Sequence, residues 1–233
     1  MLASVHVADV GAGAALRFVT STPKPAEVPG LRHANVGLCA PLSASLAPPL
    51  KVGRVGLVAF WDDDAALDEF LRTHPVAAKL AGGWRSRLAP LRAYGSWPGL
   101  PADVPTSRAT PDHEGPVAVL TLGRLHLTQL PRFLRTSARA EGRAVEAPGM
   151  VWATGLARPP FVATCSLWES AQAASLYAYG RSEPAHADAI AEGDAKAFHR
   201  QSAFIRFRPY GGEGHLDGDN PLVQDWVATA GSG

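Results

Sequence analysis

Two stretches of the chain repeat one pattern of apolar and polar positions. Residues 55–61 form an apolar run that ends in Trp and is followed by an acid, and residues 162–168 form a second such run with the same ending. A helix-like segment follows each run, and a strand-like segment rich in Arg comes next. Self-similarity of this kind predicts a duplicated architecture.

The second half predicts the order β-α-β-β-α-β. Apolar runs over 116–123, 150–155, 161–168 and 203–208 predict its four strands. Thr128 is placed to cap the first helix, which presents an apolar face and which Gly142 should stop. Ser170 opens the second helical region, and Pro184 restarts it after an interruption. This order is the split βαβ, or ferredoxin-like, arrangement.

The first half follows the same order less clearly. Its strands are predicted over 5–10, 31–39, 54–61 and 85–94, with a helix over 65–80. The region 11–29 shows no convincing amphipathic helix, and Pro90 predicts an edge or a bulge in the last strand. Residues 97–115 are rich in Pro, Gly and Asp, which is typical of a linker.

These elements predict an α+β fold made of two ferredoxin-like repeats. The predicted division is an N-terminal half over 1–96, a linker over 97–115, a C-terminal half over 116–210 and a tail over 211–233. Each half has one sheet face to bury, so the two sheets should pack into a barrel of the dimeric α/β-barrel type within one chain. The natural pocket then lies between a sheet and its helices.

Composition excludes several classes of protein. The chain has 233 residues, of which 46% are hydrophobic, and its formal net charge is +1. This charge gives no electrostatic case for binding nucleic acid or an acidic membrane. No secretory signal or apolar stretch of about 20 residues is visible. The two cysteines, Cys39 and Cys165, form no Cys-x-x-Cys pair, so we expect a soluble protein of a reducing compartment, the cytoplasm, with Cys165 buried in its strand.

The sequence lacks the motifs that bind nucleotide cofactors and the motif of the α/β-hydrolase triad. There is no Gly-x-Gly-x-x-Gly after a strand, no Walker loop and no Gly-x-Ser-x-Gly elbow. The run of acids at 62–64 is typical of a helix N-terminus. The chain's chemistry must therefore come from other residues.

One of the eight histidines has a distinctive setting. Pro184 places His186 in the first turn of a helix, where its neighbours on the same face are Ala189, Ile190 and Gly193. A wall of small apolar residues with one imidazole suits a flat macrocycle whose iron takes an axial ligand from the protein. A core or surface histidine is the alternative, and the pattern by itself leaves both open.

Residues 162–208 resemble the spheroidene monooxygenase family, carotenoid oxygenases reported to carry haem. The sequence Ala-Thr-Cys-Ser-Leu-Trp at 163–168 matches the family's Ala-Thr-Phe-Ser-Leu-Trp. The His-x-x-Ala-Ile segment at 186–190 and the Arg-Phe-Arg ending at 206–208 also match, and Phe198 stands where the family has Trp. Weaker similarity extends back to Val55. Cys165 in place of Phe, and Ser202 in place of an acid, indicate a divergent member.

The resemblance implies haem b in the C-terminal half, with His186 as the iron ligand. It implies further cofactor contacts from Trp168, Ile190, Phe198 and Arg208. No catalytic residue is assigned. The candidates are Arg206, which could pair with a haem propionate or polarise a distal ligand or else face solvent, and His199, which could lie on the distal side.

The predicted function is haem-dependent monooxygenation of an apolar small molecule, with electrons from an external donor. Three alternatives remain: a haem-dependent dehydratase acting on an N–O bond, a non-catalytic carrier of haem or an apolar ligand, and a cofactor-free monooxygenase. No nucleic-acid partner is expected. A homo-oligomer is possible but not required, because the barrel closes within one chain.

Overall fold

Eight antiparallel strands close into one barrel in the computed structural model, which describes residues 1–42, 51–106, 113–179 and 198–222. The strands are β1 Leu2–Asp9, β2 Leu31–Ala40, β3 Arg54–Trp61, β4 Trp84–Gly95, β5 Val117–Leu125, β6 Met150–Arg158, β7 Phe161–Trp168 and β8 His199–Glu213. Their order around the barrel is β1-β3-β2-β6-β7-β5-β8-β4. Each half contributes four neighbouring strands in ferredoxin-like order, which confirms the predicted fold.

Helices lie on the outside of the barrel. They are α1 Ala12–Thr20, α2 Asp64–Thr73, α3 Pro75–Leu80, α4 Leu130–Val145 and α5 Ala171–Tyr179. Among the helices in the described ranges, none is long and apolar enough to cross a membrane.

The first half contains two departures from the predicted helices. The region 11–29 does hold a helix, α1, which buries Ala15 and Phe18 against the sheet. Two buried positions leave too weak a pattern to detect in the sequence. The predicted helix over 65–80 is split, because His74 is extended and its Nδ1 accepts a hydrogen bond from the Val76 N–H at 3.2 Å, which caps a new helix at Pro75.

The first helix of the second half also differs from its prediction. A 3-10 turn over Leu127–Gln129 precedes α4, so Gln129 rather than Thr128 occupies the N-cap position, without a side-chain hydrogen bond. The helix continues past Gly142 to Val145. A glycine inside a helix costs about 1 kcal/mol relative to Ala, which does not by itself end the helix.

The strand predictions need small changes. The pairing of β4 with β8 shifts register between Pro90 and Arg92, which confirms the predicted bulge. β8 begins at His199 and runs to Glu213, longer at both ends than the predicted strand over 203–208.

The barrel interior is a packed apolar core, and segments from outside the repeats close both of its ends. Trp97 and Val104, in the segment after β4, are buried at one end, where Trp97 Nε1 donates to Asn35 Oδ1 at 3.1 Å. Leu216 and Leu222, after β8, are buried at the other. A closed barrel has two open mouths, and these side chains keep water out of its apolar interior.

Cys39 and Cys165 both lie in this interior as free thiols, which confirms the predicted burial of Cys165. Burial raises the pKa of each thiol to about 12. Because the barrel interior is filled, a ligand site has to be sought on its outer faces.

Candidate functional site

The outer faces of the two half-sheets differ in the described side chains that pack against them. In the first half, seventeen buried apolar residues form one core between the sheet and α1, α2 and α3, including Phe18, Trp61 and Phe70. Among the described residues of the second half, the corresponding core has four members, which are Val117, Trp168, Ala171 and Ala174. The described residues of the second half therefore place less side-chain volume over their sheet than those of the first half.

The difference is clearest in one row of paired residues across the strands. In the first half, the outward row through β2, β3, β1 and β4 is Val36, Leu57, His6 and Arg85. The equivalent row through β6, β7, β5 and β8 is Gly155, Thr164, Thr121 and Phe204. Gly155, Thr164 and Thr121 are small, so the outer surface of the sheet lies lower at these three positions. We call this lowered area the floor.

Helices and buried side chains cover the row in the first half. His6 is buried beneath α2, and its Nε2 lies 3.0 Å from Ser4 Oγ, which also accepts a hydrogen bond from Trp61 Nε1 at 2.9 Å. Burial, with help from the charges of Arg85 and Arg87, lowers the pKa of His6 to about 3. A neutral, hydrogen-bonded imidazole in a filled core serves packing, so the repeat that carries it is not the candidate site.

His199 stands at one end of the floor. Its ring lies directly over Gly123, because a Cβ built on that glycine would come within 2.4 Å of His199 Cδ2. Phe133 of α4 contacts the same ring edge-on, with ring centres 5.6 Å apart. Burial, and then the charge of His126, lower the pKa of His199. The lowered pKa favours the neutral imidazole, in which one ring nitrogen can accept a proton.

Phe198 precedes His199 and is buried. Its ring packs against Phe133, with ring centres 6.4 Å apart, and the Arg132 guanidinium lies over it at 5.4 Å. Phe198 therefore fixes the start of β8 against α4, which holds His199 in place.

Arg206 lies further along β8 on the same outer face and is buried beneath α5. Its Nη1 donates to Ser175 Oγ at 2.9 Å and to the Ala171 carbonyl oxygen at 3.4 Å. The prediction that Arg206 and Arg208 share a face opposite Phe207 is confirmed, since Phe207 points into the barrel core. Burial excludes the solvent-facing interpretation of Arg206, whereas Arg208 is half-buried.

The first repeat contains a counterpart of this arginine. By strand pairing Arg87 matches Arg206, and it donates hydrogen bonds to Asp64 and Asp68 of α2. The matching helix positions in the second half hold Ala171 and Ser175. Both repeats thus use a strand arginine to fasten their second helix, but only the first supplies carboxylates at those two positions.

Trp168 ends β7 inside the small core under α5. Its Nε1 donates to Ser166 Oγ at 2.9 Å, and its ring stacks on Tyr177 with ring centres 5.1 Å apart. The Trp168 ring is buried. It can therefore shape a cofactor site only indirectly, by positioning α5.

The described contacts gather the predicted residues into two groups. His199 and Phe198 meet α4, while Arg206 and Trp168 meet α5. His186 and Ile190 lie outside the described residues, so their assignments stay predictions.

Sequence reasoning missed the floor itself. Thr121, Gly123 and Thr164 carry no motif, and single threonines or glycines in strands attract no attention. A position-by-position alignment of the two repeats would have found them, since each small residue replaces a larger one.

Comparison with known proteins places the chain among oxygenases. No family model matches. The chain is 31% identical over 205 residues to the spheroidene monooxygenase of Rubrivivax gelatinosus, covering 85% of this chain and 76% of that protein. It is 25% identical over 177 residues to the spheroidene monooxygenase of Rhodobacter capsulatus, covering 72% of this chain and 71% of the relative.

Solved structures with a similar arrangement are more distant. An aldoxime dehydratase crystallised with butyraldoxime has a TM-score of 0.48 and 10% identity, covering 89% of this chain and 79% of its own. A putative monooxygenase from Fusobacterium nucleatum has a TM-score of 0.42 and 9% identity, covering 94% and 96%. Sequence identity over most of the chain, rather than these likenesses, decides the assignment: the chain is an oxidoreductase that belongs to the spheroidene monooxygenase family.

Proposed function

We propose that this protein is a haem-dependent monooxygenase of an apolar small molecule, with its site on the outer face of the second half-sheet. The observation that carries the proposal is the floor, where Gly155, Thr164 and Thr121 replace the bulky row of the first repeat. Among the described residues, bulky side chains fill one outer face and small side chains line the equivalent face, which favours a ligand on the second face.

The floor fits a flat prosthetic group. Thr121, Thr164 and Gly155 are half-buried and form a shallow surface, and α4 and α5 lie on the same side of the sheet. In this proposal His186, which follows α5 in the sequence, would bind the iron of haem b. Bound haem supplies the oxygen-activating chemistry that side chains lack.

His199 is the residue best suited to hold or move a proton at this site. Burial lowers its pKa, which favours the neutral imidazole, and its ring lies over Gly123. A positioned neutral imidazole is an effective general acid or base near pH 7.

Arg206 contributes a fixed positive charge at the other end of the floor. Its hydrogen bonds to Ser175 and to the Ala171 carbonyl hold the guanidinium under α5. Such a charge favours the binding of carboxylates, which haem carries as propionates. Arg208, two residues further along the same face, adds to this positive field.

An apolar substrate suits the edge of the floor. Phe204 is 38% exposed, and its ring lies 6.4 Å from that of Tyr94, which is 64% exposed. The curated relatives are named for spheroidene, a carotenoid, and exposed aromatic rings suit a long apolar molecule of that kind. Electrons would come from an external donor.

Absorbance spectroscopy tests the cofactor. Protein expressed with adequate haem should show a Soret band, and His186→Ala should abolish it, because the iron loses its axial ligand. His215→Ala, at an exposed histidine, is the matched control and should keep the band. A wild-type protein with no Soret band, or a His186→Ala variant that retains it, would sink the proposal.

Turnover then separates the chemistries. Consumption of a carotenoid substrate that requires dioxygen and an electron donor supports the monooxygenase. Turnover of an N–O bond substrate without dioxygen would assign a dehydratase instead, and haem binding without any turnover would assign a carrier.

A further inference from the structure

A small cavity opens at the end of the barrel that Leu216 helps to close, beside the point where the pairing of β2 with β6 stops. The residues of β6 from 150 to 154 have no described strand pairing with β2. The cavity has a volume of about 110 Å³, and its described lining includes Cys39, Lys51, Arg54, Trp152, Leu216 and Asp217. We call it the rim cavity. None of the three small residues of the floor is among its described lining, so the two sites are separate.

One group of lining residues is aromatic and apolar. Trp152 is half-buried, and its ring packs on that of Trp84 with ring centres 5.1 Å apart. Trp84 is itself held in place, because its Nε1 donates a hydrogen bond to Asn220 Oδ1 at 3.0 Å. Leu216 and the Cys39 thiol, whose pKa burial raises to about 12, add uncharged surface. This group suits a flat, uncharged ring.

A second group of lining residues carries charge. The buried Arg54 guanidinium donates hydrogen bonds to both Asp9 and Asp217. Lys51 Nζ lies 3.2 Å from Asp217 Oδ2, and its side chain is 48% exposed. An exposed ion pair of this kind contributes at most about 1 kcal/mol. Because Arg54 also pairs with Asp217, the Lys51 ammonium can turn to a ligand anion without leaving that carboxylate unpaired.

The volume of the rim cavity limits the ligand to a single small ring. An engineered apolar cavity of about 150 Å³ in another protein binds benzene, so a volume of about 110 Å³ suits a five-membered ring with one small substituent. Haem and long apolar chains are far too large. The rim cavity therefore serves a different ligand from the cofactor and the substrate of the proposed function.

We propose that the rim cavity binds a small planar carboxylate, with its ring against Trp152 and its carboxylate on Lys51. A charge-assisted hydrogen bond from the ammonium recognises the anion, and burial of the ring supplies further affinity. Such a ligand bridges β6 and the start of β3 across the end of β2. It would therefore strengthen the junction at which the two repeats share three residue pairs.

NMR titration of the full chain with pyrrole-2-carboxylate tests the proposal. The indole N–H resonance of Trp152, assigned with Trp152→Phe, should shift and saturate. The resonance of Trp97, which lies at the opposite end of the barrel, should stay in place. Pyrrole-2-carboxamide has the same shape without the charge, and it should bind about tenfold more weakly.

Lys51→Gln should weaken binding of the carboxylate by about tenfold, because the ligand loses its charge-assisted hydrogen bond. Lys51→Arg keeps the charge and should retain most of the affinity. Lys24→Gln is the matched control, since Lys24 also forms an exposed ion pair, with Glu27 at 3.1 Å, and its loss should leave the affinity unchanged. Equal melting temperatures of the variants separate lost binding from lost folding.

Four outcomes would overturn the proposal. These are no saturable shift at Trp152, an equal shift at Trp97, equal binding of the carboxamide, and a Lys51→Gln affinity equal to that of Lys24→Gln. Because the titration requires neither haem nor turnover, its failure leaves the Soret test of the proposed function intact.

Discussion

The His199 ring packs so closely on Gly123 that a Cβ at this position would clash with it. The glycine has no other described constraint, since its backbone is ordinary strand and its neighbours are the His199 ring and Val162. The His199 ring can occupy its position on the floor because Gly123 has no Cβ there.

Gly123→Ala tests this dependence. The new Cβ would come within 2.4 Å of the His199 ring, so the ring must move, at a cost of about 1–3 kcal/mol in the free energy of unfolding. Urea unfolding measures that cost, and NMR titration of His199 reports the displaced ring as a pKa closer to the usual histidine value.

Gly13→Ala in α1 is the control, because nothing lies within 4 Å of its Cβ and alanine favours the helix by up to about 1 kcal/mol. An unchanged stability and an unchanged His199 titration in Gly123→Ala would refute the assigned packing.

At the scale of secondary-structure elements, the two ends of the barrel are closed by segments whose composition is that of loops. The Pro, Gly and Asp content of residues 97–115 predicts a linker, yet within its described part, 97–106, Trp97 enters the barrel core, contacts Phe161 and donates a hydrogen bond to Asn35. The backbone of residues 97–106 is irregular, as this composition predicts. What the composition could not show is that this backbone crosses the mouth of a barrel.

Trp97→Ala should therefore behave as a core mutation rather than a linker mutation. Loss of the buried indole should lower the free energy of unfolding by about 3–5 kcal/mol, measured by urea unfolding followed by far-UV circular dichroism. Leu16→Ala, at a residue 65% exposed on α1, should change it by less than about 0.5 kcal/mol. Similar effects of the two substitutions would contradict the plugging role of Trp97.

At the scale of the whole molecule, two pairs of strands join the repeats, and we call each of these strand pairs a seam. The two seams differ in length. β4 and β8 pair over ten residue pairs, from Arg85 with Glu213 to Gly95 with Ala203. β2 and β6 pair over three, from Leu38 with Ala157 to Ala40 with Gly155. The barrel is therefore closed strongly on one side and weakly on the other.

Hydrogen exchange should reveal this asymmetry. Backbone amides at the β2–β6 seam should exchange faster than those at the centre of the β4–β8 seam, because fewer hydrogen bonds must open together. The β4–β8 amides in the same sample serve as the internal reference. Equal protection at both seams would mean that the barrel opens only by global unfolding.

The sequence by itself determined the repeat, the strands and the ferredoxin-like order, because these depend on local apolar periodicity and on the spacing of turns. It also identified the family, through short matches around Trp168, His186 and Arg206. Only the tertiary structure decided which outer face is filled, which loops plug the barrel and where His199 meets Gly123. Those features depend on side chains that are distant in sequence and compete for the same volume, and no local pattern records that competition.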